Sequence, residues 1–198
     1  MTLAIDTAST TTSIALLDGD KLLKEKTWLS EQNEAEKLMP EILKLITSLE
    51  DLKKIIVVNG PGSFTGLRVG VAVANTLAYL LGTELYGIET FKMWRSRYDG
   101  DATLFIKAGK KEIFEDGEIK PLEEIQPQKA FGDLTHDQRT TLKEKGIEFV
   151  EDSLIKSFGE AAATLQNLQK VNIVEPNYKR GPNITISTDK WKKPKSTK

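Results

Sequence analysis

The amino-acid sequence predicts an α/β protein built on a mixed sheet whose first three strands are antiparallel. Short apolar runs recur at the start of the chain, separated by a polar loop and a tight turn, and a continuous β-branched run later lies between two helical patterns. The 198 residues are 39% hydrophobic and 29% charged, which is enough apolar material to bury a core. We therefore expect one large or two small globular units.

The first three predicted strands are residues 3–6, 13–17 and 21–29. The polar loop 7–12 joins the first strand to the second, and the turn 18–20 joins the second to the third. Short links of this kind connect neighbouring antiparallel strands. The chain is thus expected to begin with three consecutive antiparallel strands.

A helix is predicted over residues 33–49. Asn33 with Glu36 three residues later is a capping signal, and apolar residues then recur at intervals of three and four. Pro40 has no backbone donor and is expected to bend this helix.

The run at residues 55–58 is typical of a parallel strand buried on both faces. The glycine-rich loop 59–63 follows, a second helix is predicted over 64–81, and 85–88 returns as a strand. Such a unit forms a right-handed crossover. Three strands, helix, strand, helix, strand is the order of the actin-like (ribonuclease H-like, ASKHA) half-domain.

We expect an N-terminal actin-like subdomain at residues 1–99, a smaller divergent second subdomain at 100–188 and a basic tail at 189–198. The pattern after Thr90 predicts helices and strands of modest length. They are a helix at 91–97, a hairpin of 102–107 with 112–115, a helix at 135–145, a strand at 147–150 and a helix at 153–168.

Composition and charge exclude several functions. With 28 Lys and Arg against 29 Asp and Glu the net charge is -1, and an acidic body offers polyanions no attraction, so the chain alone is not expected to bind nucleic acid. There is no cysteine and one histidine, His136, which is interpreted as a solvated residue at a helix start. We therefore expect no metal and no cofactor. Asp6 interrupts the first apolar segment, which argues against a secretory leader and favours a cytoplasmic protein.

The loop after the first strand is a candidate anion-binding site. In actin-like ATPases and sugar kinases an aspartate in this place holds a magnesium-bound water, and donors in the turn wrap phosphate oxygens. The alternative interpretation is a polar loop capped by its own side chains, with the aspartate accepting backbone hydrogen bonds. Such kinases also need a second phosphate lobe, and the glycines after residue 100 all stand alone. The candidate anion-binding residues are Asp6, Thr7, Ser9 and Ser63.

The glycine-rich segment 60–70 lies between a buried strand and a helix. Free amides at a helix start can bind an anion. However, the spacing matches neither the Walker A pattern nor the dinucleotide fingerprint, so it does not specify a phosphate site.

The helix at 64–81 carries one charged residue, Arg68, and leaves no polar face for solvent. A membrane span is not expected, because several residues in the segment are weakly apolar or costly in lipid. The helix at 33–49 also has a wide apolar stripe, so a helical partner interface is favoured over a fully self-buried pair. The residues expected there are Leu38, Ile42, Leu45, Val69, Val73 and Thr76, with Arg68 closing the rim by an ion pair. The small residues expected to let another helix approach closely are Gly66, Gly70, Ala72 and Ala74.

Four segments, 4–16, 34–43, 57–71 and 176–180, together resemble the bacterial TsaB (YeaZ) family. The most specific is VVNGPGSFTGLRVGV at 57–71, which is nearly the family signature. Residues 106–114 are similar to the second-domain hairpin of the family, although the usual Asp-Ala-Arg start is here Lys-Ala-Gly. Glu34 and Ala35 also stand where the family commonly has His-Ser.

The resemblance implies an actin-like fold without nucleotide chemistry that heterodimerises with a TsaD-type catalytic subunit through its first two helices. Together with a TsaE-type ATPase, that complex installs threonylcarbamoyladenosine (t6A) beside the anticodon of tRNA. The chain would contact tRNA only through the complex, would have no membrane role, and would form a homodimer when the partner is absent.

Two hypotheses follow from the sequence. The first is a non-catalytic scaffold subunit of a tRNA-modifying complex. The alternative is a small actin-like ATPase or kinase that binds Mg-nucleotide at Asp6 and the loop after it.

Overall fold

A computed structural model describes residues 1–30 and 33–179 of the chain. Within these residues the strands are β1 (Thr2–Asp6), β2 (Thr11–Asp18), β3 (Lys21–Leu29), β4 (Lys54–Gly60), β5 (Glu84–Glu89), β6 (Thr103–Lys107), β7 (Glu112–Glu115), β8 (Glu118–Pro121), β9 (Lys129–Asp133), β10 (Glu148–Phe149) and β11 (Lys170–Val171). The helices are α1 (Glu34–Leu45), α2 (Phe64–Leu81), α3 (Thr90–Arg95), α4 (His136–Glu144) and α5 (Phe158–Thr164). The expected basic tail at 189–198 lies outside the described residues.

The first sheet has six strands in the order β11-β5-β4-β1-β2-β3. β1, β2 and β3 pair antiparallel, as predicted, and β4 pairs parallel with both β1 and β5. The β-branched run of β4 is buried, because helices cover both faces of the sheet. β11 is an addition that the sequence analysis missed, since only two residues pair antiparallel with β5.

Helices α1 and α2 lie on one face of the first sheet, and α5 and α3 pack on the other. α1 buries one stripe, formed by Leu38, Ile42 and Leu45, and ends where Ile46 becomes extended. The helix is therefore four residues shorter at its end than the predicted span, and it runs through Pro40. α2 ends at Gly82, whose left-handed backbone favours glycine.

The second sheet has five strands in the order β10-β9-β6-β7-β8. The predicted hairpin is present as β6 and β7, and β9 pairs parallel with β6. β8 and β9 were not predicted from the sequence. Phe105 and Phe131 are the largest fully buried side chains of this half.

The chain returns to the first sheet after residue 157. α5 packs on β2 and β3, and β11 joins the sheet edge, so the expected second subdomain does not stay together in space. α5 begins at Phe158 instead of residue 153, because Ser157 and Glu160 form a capping box and a 3-10 turn precedes them. The division at residue 99 remains an expectation.

Candidate functional site

Asp6 lies at the end of β1 and is bound by its own loop. Its Oδ1 accepts hydrogen bonds from the backbone amides of Ala8 (2.8 Å) and Ser9 (3.3 Å), and its Oδ2 accepts one from the Ser9 hydroxyl (2.7 Å). Burial raises the pKa of Asp6, while the hydrogen bonds from Ser9 and Ala8 oppose that rise. Both carboxylate oxygens are thus used inside the loop, which is the self-capped alternative.

The other candidate anion-binding residues are also used internally. The Thr7 hydroxyl donates to the carbonyl of Gly66 (2.7 Å), and the Ser9 hydroxyl accepts from the Trp94 indole (3.1 Å). Ser63 caps α2, because its hydroxyl accepts from the amide of Gly66 (3.2 Å). These contacts favour the self-capped alternative over an open anion site formed by Asp6, Thr7, Ser9 and Ser63.

The glycines of segment 60–70 have a packing role. A Cβ on Gly62 would overlap the carbonyl oxygen of Ala8, and one on Gly66 or Gly70 would overlap the carbonyl or hydroxyl oxygen of Thr7. These glycines let the start of α2 lie directly against the loop between β1 and β2. Gly66 and Gly70 therefore face inward and are not available to a foreign helix, contrary to the expectation from the sequence.

Asp133, at the end of β9, connects the second sheet to this loop. Its Oδ2 accepts from the amide of Thr10 (2.8 Å), and its Oδ1 accepts from the Thr10 hydroxyl. Burial raises the pKa of Asp133 to about 6, and the hydrogen bonds from Thr10 oppose a larger rise. Asp133 was not predicted as a site residue, because no strand was predicted to end there.

A cleft of about 540 Å³ opens between the two sheets, above this loop. Among the side chains that line it are three basic or titratable groups and two aromatic rings, namely Lys107, His136, Lys179, Phe64 and Tyr178. Within the described residues no group of three or more His, Cys, Asp or Glu side chains could hold a metal ion. His136 is exposed at the first position of α4, as the sequence analysis interpreted it.

The predicted partner residues of α1 are in the core. Leu38 and Ile42 are 0% exposed and Leu45 is almost as buried, so none of them can contact another chain. The outward side of α1 carries Glu36, Lys37 and other polar residues. The assignment of Leu38, Ile42 and Leu45 to a partner interface is corrected accordingly: one stripe of α1 is enough to bury them against the sheet and α2.

Helix α2, in contrast, presents apolar and uncharged residues to solvent. Tyr79 is 88% exposed and Leu80 is 70% exposed. The outer face of α2 is defined here by Arg68, Ala72, Thr76, Tyr79 and Leu80. All five are exposed, and Arg68, which lies over the Phe64 ring at 5.5 Å, is the one charged residue among them.

Two of the predicted partner residues on α2 are only half-buried. Val69 and Val73 pack partly against the first core and lie beside α1. Leu43 of α1, 52% exposed, is a further apolar side chain on this side of the sheet. The expected partner residues did not include Tyr79 or Leu80, although both lie on a helix with no charge after Arg68.

The C-terminal strap, residues 172–179, lies against α2 and β4. The side chain of Asn75 exchanges two hydrogen bonds with the backbone of Val174, at 3.0 and 2.9 Å. The amide of Asn177 donates to the carbonyl of Asn59 (2.7 Å), and the Tyr178 ring lies 4.9 Å from that of Phe64. The outer face of α2 is consequently bordered by α1 on one side and by the strap on the other.

In the described parts of the chain, α2 is the one helix that is long and apolar enough to cross a membrane by length and composition, with a mean hydropathy of 1.4. Its inner face is buried in the first core, where Leu67, Val71 and Ala74 lie. A core helix of a globular protein has the same properties.

The strand order, with three antiparallel strands followed by parallel strands and helices on both faces, defines a mixed α/β protein of the actin-like class. The solved structure of YeaZ from Pseudomonas aeruginosa has this fold: it is 20% identical, covers 82% of this chain and 88% of its own length, and gives a TM-score of 0.60. The predicted fold class is confirmed.

The family model described as TsaD, tRNA N6-adenosine threonylcarbamoyltransferase, matches residues 29–136, more than half of the chain. The TsaB proteins of Bacillus subtilis and Escherichia coli are similar, at 34% identity over 119 residues and 37% over 87 residues. These alignments cover 57% and 42% of this chain and 52% and 36% of the relatives. The chain belongs to the family that this model describes, and its resemblance to TsaB (YeaZ) proteins is confirmed. It spans about half the length of the B. subtilis relative.

Proposed function

We propose that this chain is a non-catalytic scaffold subunit in t6A biosynthesis and that it forms a heterodimer with a TsaD-type catalytic subunit. A TsaE-type ATPase would join that complex, and tRNA would be bound by the complex as a whole. The family membership supports the process, and the outer face of α2 is the observation that supports the scaffold role.

The argument for pairing rests on exposed apolar area. Tyr79 and Leu80 extend into solvent from a helix with one charged side chain, and burying a large apolar side chain contributes about 1.5–3 kcal/mol. Ala72 and Thr76 lie between them and Arg68 on the same face and are small enough for a second helix to approach. We expect Arg68 to form an ion pair at the rim.

The proposal is tested by Leu80→Glu, which would bury an unpaired charge only in the complex. A loss of about 3 kcal/mol or more is expected, equivalent to at least about a hundredfold in Kd. Leu154→Glu is the matched control, because Leu154 is 60% exposed in a 3-10 turn remote in sequence from α2. The heterodimer Kd is measured by calorimetry, and the urea midpoint of each chain shows whether it is folded. Equal affinity of Leu80→Glu and wild type for the TsaD-type subunit would refute the interface.

A homodimer through the same face is proposed for the chain without its partner. Sedimentation equilibrium of wild type and Leu80→Glu tests this. A concentration-dependent dimer in the wild type that is lost in the variant is expected, and a dimer in both would assign self-association to another surface.

The alternative function is an ATPase or kinase that binds Mg-nucleotide at Asp6. It is disfavoured because both carboxylate oxygens of Asp6 are already hydrogen-bonded within the loop. We expect calorimetry with MgATP to show no binding by the purified chain. Micromolar binding that disappears in Asp6→Ala would reverse this conclusion.

A further inference from the structure

A lysine-rich turn projects from the second sheet beside the cleft. Lys107 ends β6, and Lys110 and Lys111 lie in the turn that leads to β7. All three are exposed, and none of them takes part in a salt bridge within the described residues. We call these three residues the lysine turn. It borders a groove of about 1000 Å³ that the start of α4 also lines.

The lysine turn is held in place by a buried side chain. Gln138 of α4 is 2% exposed, and its Nε2 donates to the carbonyls of Gly109 (2.8 Å) and Glu112 (3.3 Å). Its Oε1 accepts from the amide of Thr135, which completes the capping box of α4. A turn fixed at both ends presents its charges with less loss of conformational entropy on binding than a free loop would.

The groove and the cleft form one continuous surface, because Lys107 and Thr135 line both of them. At the far rim of the cleft Tyr178 packs on Phe64 and remains 41% exposed, and Lys179 follows it. Residues 1–179 carry 22 positive and 28 negative groups, or -6. Lys107, Lys110, Lys111 and Lys179 thus place four positive charges along one surface of an acidic body.

Carboxylates also line this surface. Asp133 is bound by Thr10, while Glu112, Glu123 and Asp137 line the groove. The amide of Leu122 donates to the carbonyl of Lys111 (2.9 Å), so Glu123 follows a residue that is bound to the lysine turn. Lys145 donates to the carbonyls of Leu122 and Glu123 and adds a positive charge there. The acids explain why this surface would add contacts to a complex without giving the isolated chain strong affinity for polyanions.

We infer that the strip from the lysine turn to Tyr178 and Lys179 contacts RNA, with the lysines on backbone phosphates and Tyr178 stacking on an unpaired base. This inference rests on the proposed function, in which tRNA is bound by the assembled complex. Lysine ammonium groups neutralise phosphates without reading sequence, and an exposed aromatic ring beside basic residues is a stacking platform for single-stranded segments.

The test uses the heterodimer and an unmodified transcript of a tRNA that reads a codon beginning with A. The variant Lys110→Gln/Lys111→Gln is compared with Lys129→Gln/Lys143→Gln, which removes two exposed lysines of the same half of the chain that line neither cavity. We expect the first variant to bind about tenfold more weakly and to lower the slope of log K against log salt by about 1.4–1.8. The second should match wild type.

Three further variants test the charge dependence of tRNA binding and the stacking on Tyr178. Glu123→Gln should strengthen tRNA binding, because it removes a negative charge from the groove that the lysine turn borders. Tyr178→Ala should weaken it by about fivefold or more, with Tyr178→Phe restoring it. No loss in Tyr178→Ala would remove the stacking assignment.

Heterodimer formation is measured separately, so that the two proposals fail in different ways. If the heterodimer forms and the turn variant binds tRNA as tightly as wild type, the RNA inference is wrong and the proposed function stands. If the turn variant loses an interaction with a protein subunit instead, the strip is a protein-docking surface and the inference is again wrong. If the wild-type chains do not pair, the proposed function fails, and the same titration on the chain alone at about 50 mM salt decides the inference.

Discussion

The loop from Asp6 to Thr10 and the outer face of α2 are two regions that the sequence marks for function, and they differ in what the fold leaves free. The loop is rich in hydrogen-bonding groups, but Asp6, Asp133 and Trp94 take up those that a phosphate would need. The outer face has little hydrogen-bonding capacity and lies open, with Tyr79 and Leu80 in solvent. Polar groups can be satisfied within the chain, whereas an uncovered apolar face needs another molecule to remove it from water.

The largest expected effect concerns Ile42, which the sequence assigned to the partner surface and the structure places in the core. Ile42→Ala should lower the free energy of unfolding by about 2–5 kcal/mol, since it leaves a cavity between α1 and the sheet. Urea denaturation measures this. A loss below about 0.5 kcal/mol would mean that α1 does not pack as described and would reopen the original assignment.

Asp133 should give the next largest effect. Its pKa is raised from 3.8 to about 6, so the folded state binds more protons than the unfolded state between these values, and its contribution to stability falls as pH rises through that window. At neutral pH the loss in the free energy of unfolding that Asp133 causes approaches about 3 kcal/mol as an upper limit. Asp133→Asn keeps an acceptor for the Thr10 amide and should remove this pH dependence.

The measurement for Asp133 is the free energy of unfolding from pH 4 to pH 7 for wild type and Asp133→Asn. The difference isolates Asp133 from Asp6, whose pKa is shifted in the same direction. A wild-type chain that gains stability relative to the variant as pH rises would contradict the assigned direction.

A smaller effect separates the two sides of α2. Gly66→Ala would bring a Cβ into the carbonyl of Thr7 and should destabilise the chain by about 1–3 kcal/mol, although alanine is the better helix former. Ala72→Gly on the outer face is the control and should cost about 1 kcal/mol through helix propensity alone. Stabilisation by Gly66→Ala would show that α2 does not approach the loop closely.

The smallest expected effect on the free energy of unfolding comes from a substitution on the outer face of α2. Tyr79→Ala should change the free energy of unfolding by less than about 0.5 kcal/mol, because 88% of the side chain is in solvent. The same variant should weaken heterodimer formation by about tenfold or more. A large loss of monomer stability would mean that Tyr79 is covered within its own chain.

The sequence predicts the first five strands and α2 because their signals are local: alternating or continuous apolar runs, a turn, and a glycine-rich loop before a helix. It does not predict the contact of Asp133 with Thr10, since 123 residues separate them and β9 has no strong strand pattern. The apolar residues of α1 were assigned to a partner interface for a related reason. The sequence shows which face of a helix is apolar, but tertiary packing decides how much of that face the sheet and the neighbouring helix bury.

The start of α5 is a different kind of miss, because its signal is visible in the sequence. Ser157 and Glu160 have the spacing of a capping box and mark the helix start, whereas the predicted helix began at residue 153. This part of the fold could therefore be predicted from local signals, as the self-capped alternative for the Asp6 loop was.

The paired hydrogen bonds between Asn75 and Val174 join the middle of the chain to a segment 99 residues further on. One border of the outer face of α2 is therefore missing while the ribosome is still making the second sheet. A nascent chain that contains α2 but not yet Val174 offers only part of this surface, so the pairing proposed for α2 is expected only after Val174 has been made.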